Sequence, residues 1–392
     1  MNMDYLQQSF RVHFEYKVFF TEQLFDISNA LFRDYLTSQQ TDNRKKLLFV
    51  LDQGVVNHHP HLPQQIKNYI AAIPSFSLVE NMVLIPGGEQ SKNNEDAFDK
   101  ITEAVHQYGI DRHSYIVAIG GGSLLDIAGY AAAVSHRGIR HIRIPTTVLS
   151  QNDSGIGVKN GINFFGKKNF LGTFAPPSVV FNDYHFLHTL NERHWRSGIS
   201  EAIKVALIKD AVFFEWLEEN ASLLAQRDMS SMKYLIKRCA ELHLQHIASS
   251  DPFEMGSSRP LDFGHWSGHK LEQLTHFSVL HGEAVAIGIA LDSVYSFLSG
   301  RITEKDITRI IDLMMVLGFD ITHPQMKIED ENSPLVAGMN EFREHLGGKL
   351  TIMLLKEIGK GEEVHELDIE LLKKSSEWIN KNRTAWTALM GN

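Results

Sequence analysis

His265 and His269 stand four residues apart in LDFGHWSGHKLEQLTHFSVLHGE, residues 261–283, and would share one face of a helix. His281 opens a second apolar run, HGEAVAIGIAL, from which it can point back at them. Neutral imidazoles that converge with a carboxylate make an ordinary zinc environment, and a catalytic zinc keeps one coordination position open. A carboxylate candidate lies upstream. In RSGISEAIKVALIKD, Glu201 and Lys204 are three residues apart on a helix apolar enough to be buried. A buried carboxylate must be paired or metal-bound, so Glu201 is a candidate further ligand, with a plain helical ion pair to Lys204 as the competing role.

Nucleotide chemistry is suggested by SYIVAIGGGSLLDIAGYAAAV, which sets Gly120, Gly121 and Gly122 between a buried strand and a small-residue helix carrying Asp126. Only glycine lets backbone amides crowd a pyrophosphate at a helix N-terminus. The G-x-G-x-x-G spacing is not met, because position 125 is Leu. Asp52 ends the apolar strand in KKLLFVLD and suits ribose hydroxyls, and Lys92 closes the glycine turn PGGEQSK near a helix start. Thr146 and Thr147, at the end of RHIRIPTT, offer hydroxyls to a cofactor amide or ribose. The texture then changes to QNDSGIGVKNGINFFGKKNFLGTFAPP, where Asp153, Lys159, Lys168 and Asn169 provide cations and amides for an anionic substrate. The apolar residues of that block, Ile156, Ile162, Phe164, Phe165, Phe170 and Leu171, call for burial.

The elements that must position these groups follow from periodicity. Short apolar strands alternate with helical patterns as far as the PTT segment, which implies a parallel sheet covered by helices. From Asn182 onward the helical period dominates, apart from one strand-like run, KLTIMLL. At 392 residues the chain exceeds what one core supports, so two domains are expected. With 43% hydrophobic and 22% charged residues the composition is that of a globular protein. A net charge of -9 leaves no basic stripe for nucleic acid. The single cysteine, Cys239, allows no internal disulfide and fits a reducing compartment. MNMDYLQQSF lacks the features of a signal peptide, and no uncharged apolar run reaches a membrane-spanning length. These features predict a soluble cytoplasmic protein with no membrane or nucleic-acid partner.

Six ordered motifs, PGGEQSK, GGGSLLDIAG, IPTTVLSQNDSGIGVKNGINFFGKKN, SGISEAIK, LDFGHWSGH and LHGEAVAIG, resemble the sugar phosphate cyclase superfamily typified by 3-dehydroquinate synthase. The resemblance runs from Asp52 to the FREHLGG segment. It implies an α/β fold with an amino-terminal Rossmann-like NAD-binding domain, residues 1–183, and an α-helical carboxyl-terminal metal-binding domain, residues 184–392. It also implies a catalytic zinc, with cobalt as an alternative, and a homodimer. Position by position, Glu201, His265 and His281 fall on zinc ligands, and His269 on a residue that contacts the substrate phosphate. Asp52, Glu89, Lys92, Gly121, Gly122, Asp126, Thr146, Thr147, Lys168 and Thr189 fall on NAD-contacting positions. Asp153, Lys159, Lys168, Asn169 and Lys204 fall on substrate positions, and Arg137 on an arginine that reaches a partner subunit's site.

The departures bear on the substrate. Where dehydroquinate synthases carry a lysine that helps hold a carboxylate, this chain has His243 or a close neighbour; Arg259 is displaced by one residue, and Asp262 replaces an asparagine. RPLDFGH and FREHLGG look more like the valiolone-type cyclases, which act on sedoheptulose 7-phosphate and have no carboxylate to bind. The chemistry implied is transient oxidation of a ring hydroxyl by NAD, phosphate elimination, reduction and intramolecular aldol closure, with the leaving phosphate helping to remove a proton. The alternatives are 3-dehydroquinate synthase proper, acting on 3-deoxy-arabino-heptulosonate 7-phosphate, and a metal-dependent polyol dehydrogenase. The latter would release NADH, and its neutral substrate gives no reason for the lysines after Thr147.

Overall fold

The structure, a computed structural model, describes residues 5–39, 44–93, 95–249, 251–254, 261–345 and 350–390. Its first half is built on a seven-stranded sheet. The strands are β1 (Lys17–Thr21), β2 (Lys45–Asp52), β3 (Phe76–Leu78), β4 (Val83–Ile85), β5 (Tyr115–Gly120), β6 (Arg140–Pro145) and, after an antiparallel hairpin of β7 (Lys159–Phe164) and β8 (Lys167–Phe174), β9 (Val179–Asp183). Their spatial order is β1-β9-β6-β5-β2-β3, with β4 pairing the later part of β2, and every pair is parallel. Sheets covered on both faces need strands that are apolar throughout, and β5 is buried at all six positions. Aromatic and aliphatic side chains fill one face of the sheet, from Phe25 and Phe32 to Tyr69 and Phe181. The other face packs helix α1 (Gly122–Val134) and helix 95–107.

Beyond β9 the chain is helical, as its periodicity predicts, and has its own core. The helices that carry the site are α2 (Ile199–Lys209), α3 (Met229–Ile247), α4 (His265–Leu274) and α5 (His281–Leu298). The KLTIMLL run forms β10 (Ile352–Glu357), paired antiparallel with β11 (Lys360–Val364). No described helix is long and apolar enough to cross a membrane.

One expectation changes. The block after Thr147 is a π-helical turn followed by the β7–β8 hairpin, and its apolar residues divide. Ile156 and Ile162 are buried, but Phe165 is 78% exposed at the hairpin tip and Phe170 is 48% exposed. Residues of a hairpin alternate between faces: Ile162 packs into the core of the sheet, whereas Phe165 and Phe170 meet each other near the tip.

Candidate functional site

The carboxyl ends of β2, β5 and β6 lie side by side, with Asp52, Gly120 and Pro145 at their last positions. In an open parallel sheet this edge is where a ligand crevice forms. Here it opens into a cavity of about 880 Å³ bounded on the other side by α3, α4 and the start of α5. All the residues assigned above to NAD, and Asp153, Lys159, Lys168, Asn169, Lys204, Asp262 and His269, line this one cavity. His265 and His281 line it too, and Glu201 sits behind them, fully buried. Arg137 is exposed in the turn after α1 and is absent from the lining. Arg259 lies outside the described residues.

On the sheet side, Asp52 accepts from Gly54 N–H at 2.7 Å and so turns the chain at the end of β2. Burial raises its pKa, and the backbone amides of Gly54, Val55 and Gly121 oppose that shift. Lys92 Nζ lies 2.8 Å from Asp126 Oδ2 and also bonds Asn169. Ser123 Oγ donates to Glu89 at 3.1 Å, and Thr189 shares a hydrogen bond with His59 at 2.9 Å. Gly121 is informative. Its backbone is extended (φ -73, ψ 174), a shape any residue adopts, and a Cβ there would meet nothing closer than Thr147 Cγ2 at 3.4 Å. Neither conformation nor internal packing demands glycine at the mouth of α1, so the open space suits a ligand that rests against the backbone. This is the cradle a pyrophosphate needs at a helix N-terminus, and NAD fits it.

The residues assigned above to a metal come from three helices. Gly264 caps α4 in the left-handed region (φ 76) and packs so tightly on α5 that a side chain there would strike Ile289 N at 2.6 Å. A Cβ at Gly288 would collide with the Gly264 carbonyl still more severely, so α4 and α5 cross here with no room for a side chain between them. This brings His265, His269 and His281 within metal-chelating reach of one another. Glu201 Oε1 lies 3.5 Å from His265 Nε2 and 3.7 Å from His281 Nε2, and it carries no hydrogen bond. His265 Nδ1 sits 3.1 Å from the Phe263 carbonyl, which can only accept, so the proton is on Nδ1 and the Nε2 lone pair faces inward. His281 Nδ1 is held likewise by Glu272 at 2.9 Å. Burial, then Lys204, holds the His265 pKa well below its ordinary value, which keeps the ring neutral. Two bare Nε2 atoms facing an orphaned carboxylate oxygen form a donor set that fits zinc or cobalt.

Between the two groups sits Lys204, whose Nζ pairs with Glu201 Oε2 at 2.5 Å. Burial works against its charge, but Glu201 and Asp153 outweigh that and raise its pKa. Asp153 Oδ1 is 2.9 Å from His243 Nδ1, and although burial opposes its ionisation, Lys204 and His243 hold its carboxyl well below the usual range.

Three residues have roles at the site that their sequence context does not assign. Glu272 bonds both His281 and Lys168. It follows His265 by seven and His269 by three, a helical spacing that marks one face. Arg143, fully buried in β6, donates to the carbonyls of Gly155, Gly157 and Lys159 and thereby shapes the loop that bears Asp153 and Lys159. An arginine inside an apolar strand was the available signal. Asp292 of α5 accepts from Gly264 N–H and Trp266 Nε1–H, both at 2.9 Å, and so braces the start of α4. Burial pushes its pKa up to about 7 from an ordinary 3.8. The folded state then binds more protons than the unfolded one between those values, so stability falls as pH rises through that window, by up to about 4 kcal/mol. Urea melts at pH 5 and pH 8 should show wild type losing about 3 kcal/mol, the part of this increment that falls above pH 5, while Asp292→Asn does not; parallel curves would remove Asp292 as its source.

Residues 82–197 match the 3-dehydroquinate synthase N-terminal family and residues 198–336 the 3-dehydroquinate synthase C-terminal family. A 3-dehydroquinate synthase of Dictyoglomus turgidum is 36% identical over 325 residues, 82% of this chain and 88% of that protein. Among solved structures, the 2-epi-5-epi-valiolone synthase ValA of Streptomyces hygroscopicus subsp. jinggangensis 5008, with NAD+ and Zn2+ bound, superposes with a TM-score of 0.86 at 29% identity, covering 96% of this chain and all of that one. A 2-deoxy-scyllo-inosose synthase complexed with carbaglucose-6-phosphate, NAD+ and Co2+ shares the fold at a TM-score of 0.75 and 23% identity, over 92% of this chain and 96% of that one.

Proposed function

Since this chain belongs to the 3-dehydroquinate synthase family, we propose that it is an NAD- and zinc-dependent cyclase that converts sedoheptulose 7-phosphate to a valiolone-type carbocycle. The observation that carries the choice of substrate is the charge of the cavity. Its described lining holds four lysines, Lys92, Lys159, Lys168 and Lys204, against seven carboxylates, and no arginine. Each lysine is already within ion-pair distance of a carboxylate of the chain: Asp126 at 2.8 Å, Glu254 at 2.7 Å, Glu272 at 2.8 Å and Glu201 at 2.5 Å. A sugar phosphate brings one anionic group, which Lys159, Lys168, Asn169 and His269 are assigned to hold. An acid sugar brings a second, and the position where the dehydroquinate synthases' lysine is expected falls on His243 or a close neighbour, with His243 itself engaged with Asp153.

NAD supplies a transient hydride acceptor, and a divalent ion held by Glu201, His265 and His281 supplies positive charge for the hydroxyl being oxidised and the carbonyl that follows. Lys204 Nζ, kept charged by Glu201 and Asp153, donates toward the oxygens of the sugar. Against the opposing effect of burial, Lys204 and then His243 keep Asp153 ionised. Orientation of the sugar by these fixed groups provides much of the rate. The reading includes a division into an NAD-binding domain, residues 1–183, and a metal- and substrate-binding domain, residues 184–392. It also includes a homodimer in which Arg137 serves the partner's cavity, to be checked by light scattering.

The test is incubation of the zinc-loaded protein and NAD with each sugar phosphate in turn, following phosphate. Release from sedoheptulose 7-phosphate is expected, with kcat/KM for 3-deoxy-arabino-heptulosonate 7-phosphate lower by about a hundredfold, since an unpaired buried charge costs about 3 kcal/mol. The reverse preference would make the chain a 3-dehydroquinate synthase proper. Steady NADH from a neutral polyol, with no phosphate from either sugar, would sink the cyclase reading.

A further inference from the structure

We propose that Glu272 is a positioning residue that couples occupancy of the metal centre to occupancy of the cofactor pocket. The proposal rests on the reading above, in which His281 holds the metal and Lys168 contacts NAD. Glu272 lies on α4 with its side chain 1% exposed. Its Oε2 accepts from His281 Nδ1 at 2.9 Å. Both of its oxygens accept from Lys168 Nζ, at 2.8 and 2.9 Å, although Lys168 belongs to β8, 104 residues earlier in the chain.

The chain of charges continues on the far side of that lysine. Lys168 Nζ is 3.8 Å from Glu89 Oε1, Glu89 Oε1 is 3.7 Å from Lys92 Nζ, and Lys92 Nζ is 2.8 Å from Asp126 Oδ2. One buried carboxylate is thus shared between a ring that presents its Nε2 to the metal position and an ammonium in the wall of the cavity that Gly121 also lines. A carboxylate behind a ligating imidazole fixes its tautomer and raises its basicity, and the loss of such a partner typically weakens metal binding about 10- to 100-fold. Any molecule that shifts Lys168 changes the carboxylate that His281 sees. Linkage is reciprocal, so metal must change the affinity for that molecule by the same factor.

The experiment titrates Co2+ into the metal-free full chain, with and without saturating NAD, and reads its visible absorption; NAD affinity is measured calorimetrically with and without Co2+. In wild type, NAD should tighten Co2+ about tenfold, and Co2+ should tighten NAD by the same factor. Glu272→Gln should weaken Co2+ about 10- to 100-fold, alter the absorption bands and abolish the mutual effect. Lys168→Met, which frees Glu272 from the ammonium outright, should tighten Co2+ about tenfold in the absence of NAD and abolish the mutual effect. Wild-type Co2+ affinity with intact coupling in Glu272→Gln overturns the assignment, as does Co2+ binding in wild type that ignores NAD. Should circular dichroism find Glu272→Gln unfolded, persistence of coupling in Lys168→Met overturns it. Failure of wild type to take up any Co2+ is a different result, which defeats the metal reading itself.

Discussion

Replacing His281 with alanine should lower zinc affinity by at least about a hundredfold and abolish phosphate release with it, because removing a ligand costs more than removing the group behind one. The geometry leaves two sets to be told apart. His265, His269 and His281 are mutually close enough to chelate, and Glu201 Oε1 faces the Nε2 atoms of His265 and His281. Under the proposed assignment Glu201→Ala behaves like His281→Ala, whereas His269→Ala keeps its zinc and loses affinity for phosphate. The readout is metal content by mass spectrometry after gel filtration, with near-ultraviolet circular dichroism to verify the fold. If His269→Ala loses the ion and Glu201→Ala retains it, the ligands are the three histidines, and Glu201 is only the partner of Lys204.

Placing valine at Gly121 should raise the NAD dissociation constant by about a hundredfold or more while the protein stays folded. The two parts of this expectation have separate grounds. The position is extended and an added Cβ would only touch Thr147 Cγ2, at 3.4 Å, so the chain itself loses about 1 kcal/mol, the cost of a poor residue at a helix N-cap. That amounts to a few degrees in melting temperature. The added carbons instead occupy the space where backbone amides would meet a pyrophosphate. Gly282 is the contrasting control: a Cβ there collides with the Ser197 carbonyl, so Gly282→Ala should destabilise the protein whether or not NAD is present. Calorimetric NAD affinity equal to wild type in Gly121→Val would move the cofactor away from this turn.

These contrasts mark what the chain makes legible before any coordinates. Gly120–Gly122 and the spacing of His265, His269 and His281 are local patterns, because a turn and a helix face each record their requirement within a few residues. The parallel sheet is similarly recorded in runs such as YIVAIG, whose burial on both faces demands apolar residues throughout. The roles of Glu272, Arg143 and Asp292 depend on partners 104, 12 to 17, and 26 to 28 residues away, and charge alone cannot announce a partner. The aromatic residues of the β7–β8 hairpin misled for a related reason. Hydrophobicity states a preference for burial, but among the described residues the tip of this hairpin offers Phe165 only its neighbours Phe164 and Phe170, and it stays exposed.

The edge strand β1 has a consequence for how the protein is made. Its partner is β9, with Lys17 facing Val179 and Thr21 facing Asp183, about 160 residues further along the chain. At about 5–20 residues per second of synthesis, the KVFFT segment waits roughly 10 to 30 seconds on the ribosome before its neighbour has been made. During that interval an apolar strand with unpaired amides is a target for chaperones and for self-association. Yield in the cell should therefore depend on substitutions in β1 that leave the finished enzyme's cavity untouched, and slowing translation upstream of β9 should lengthen the period of risk.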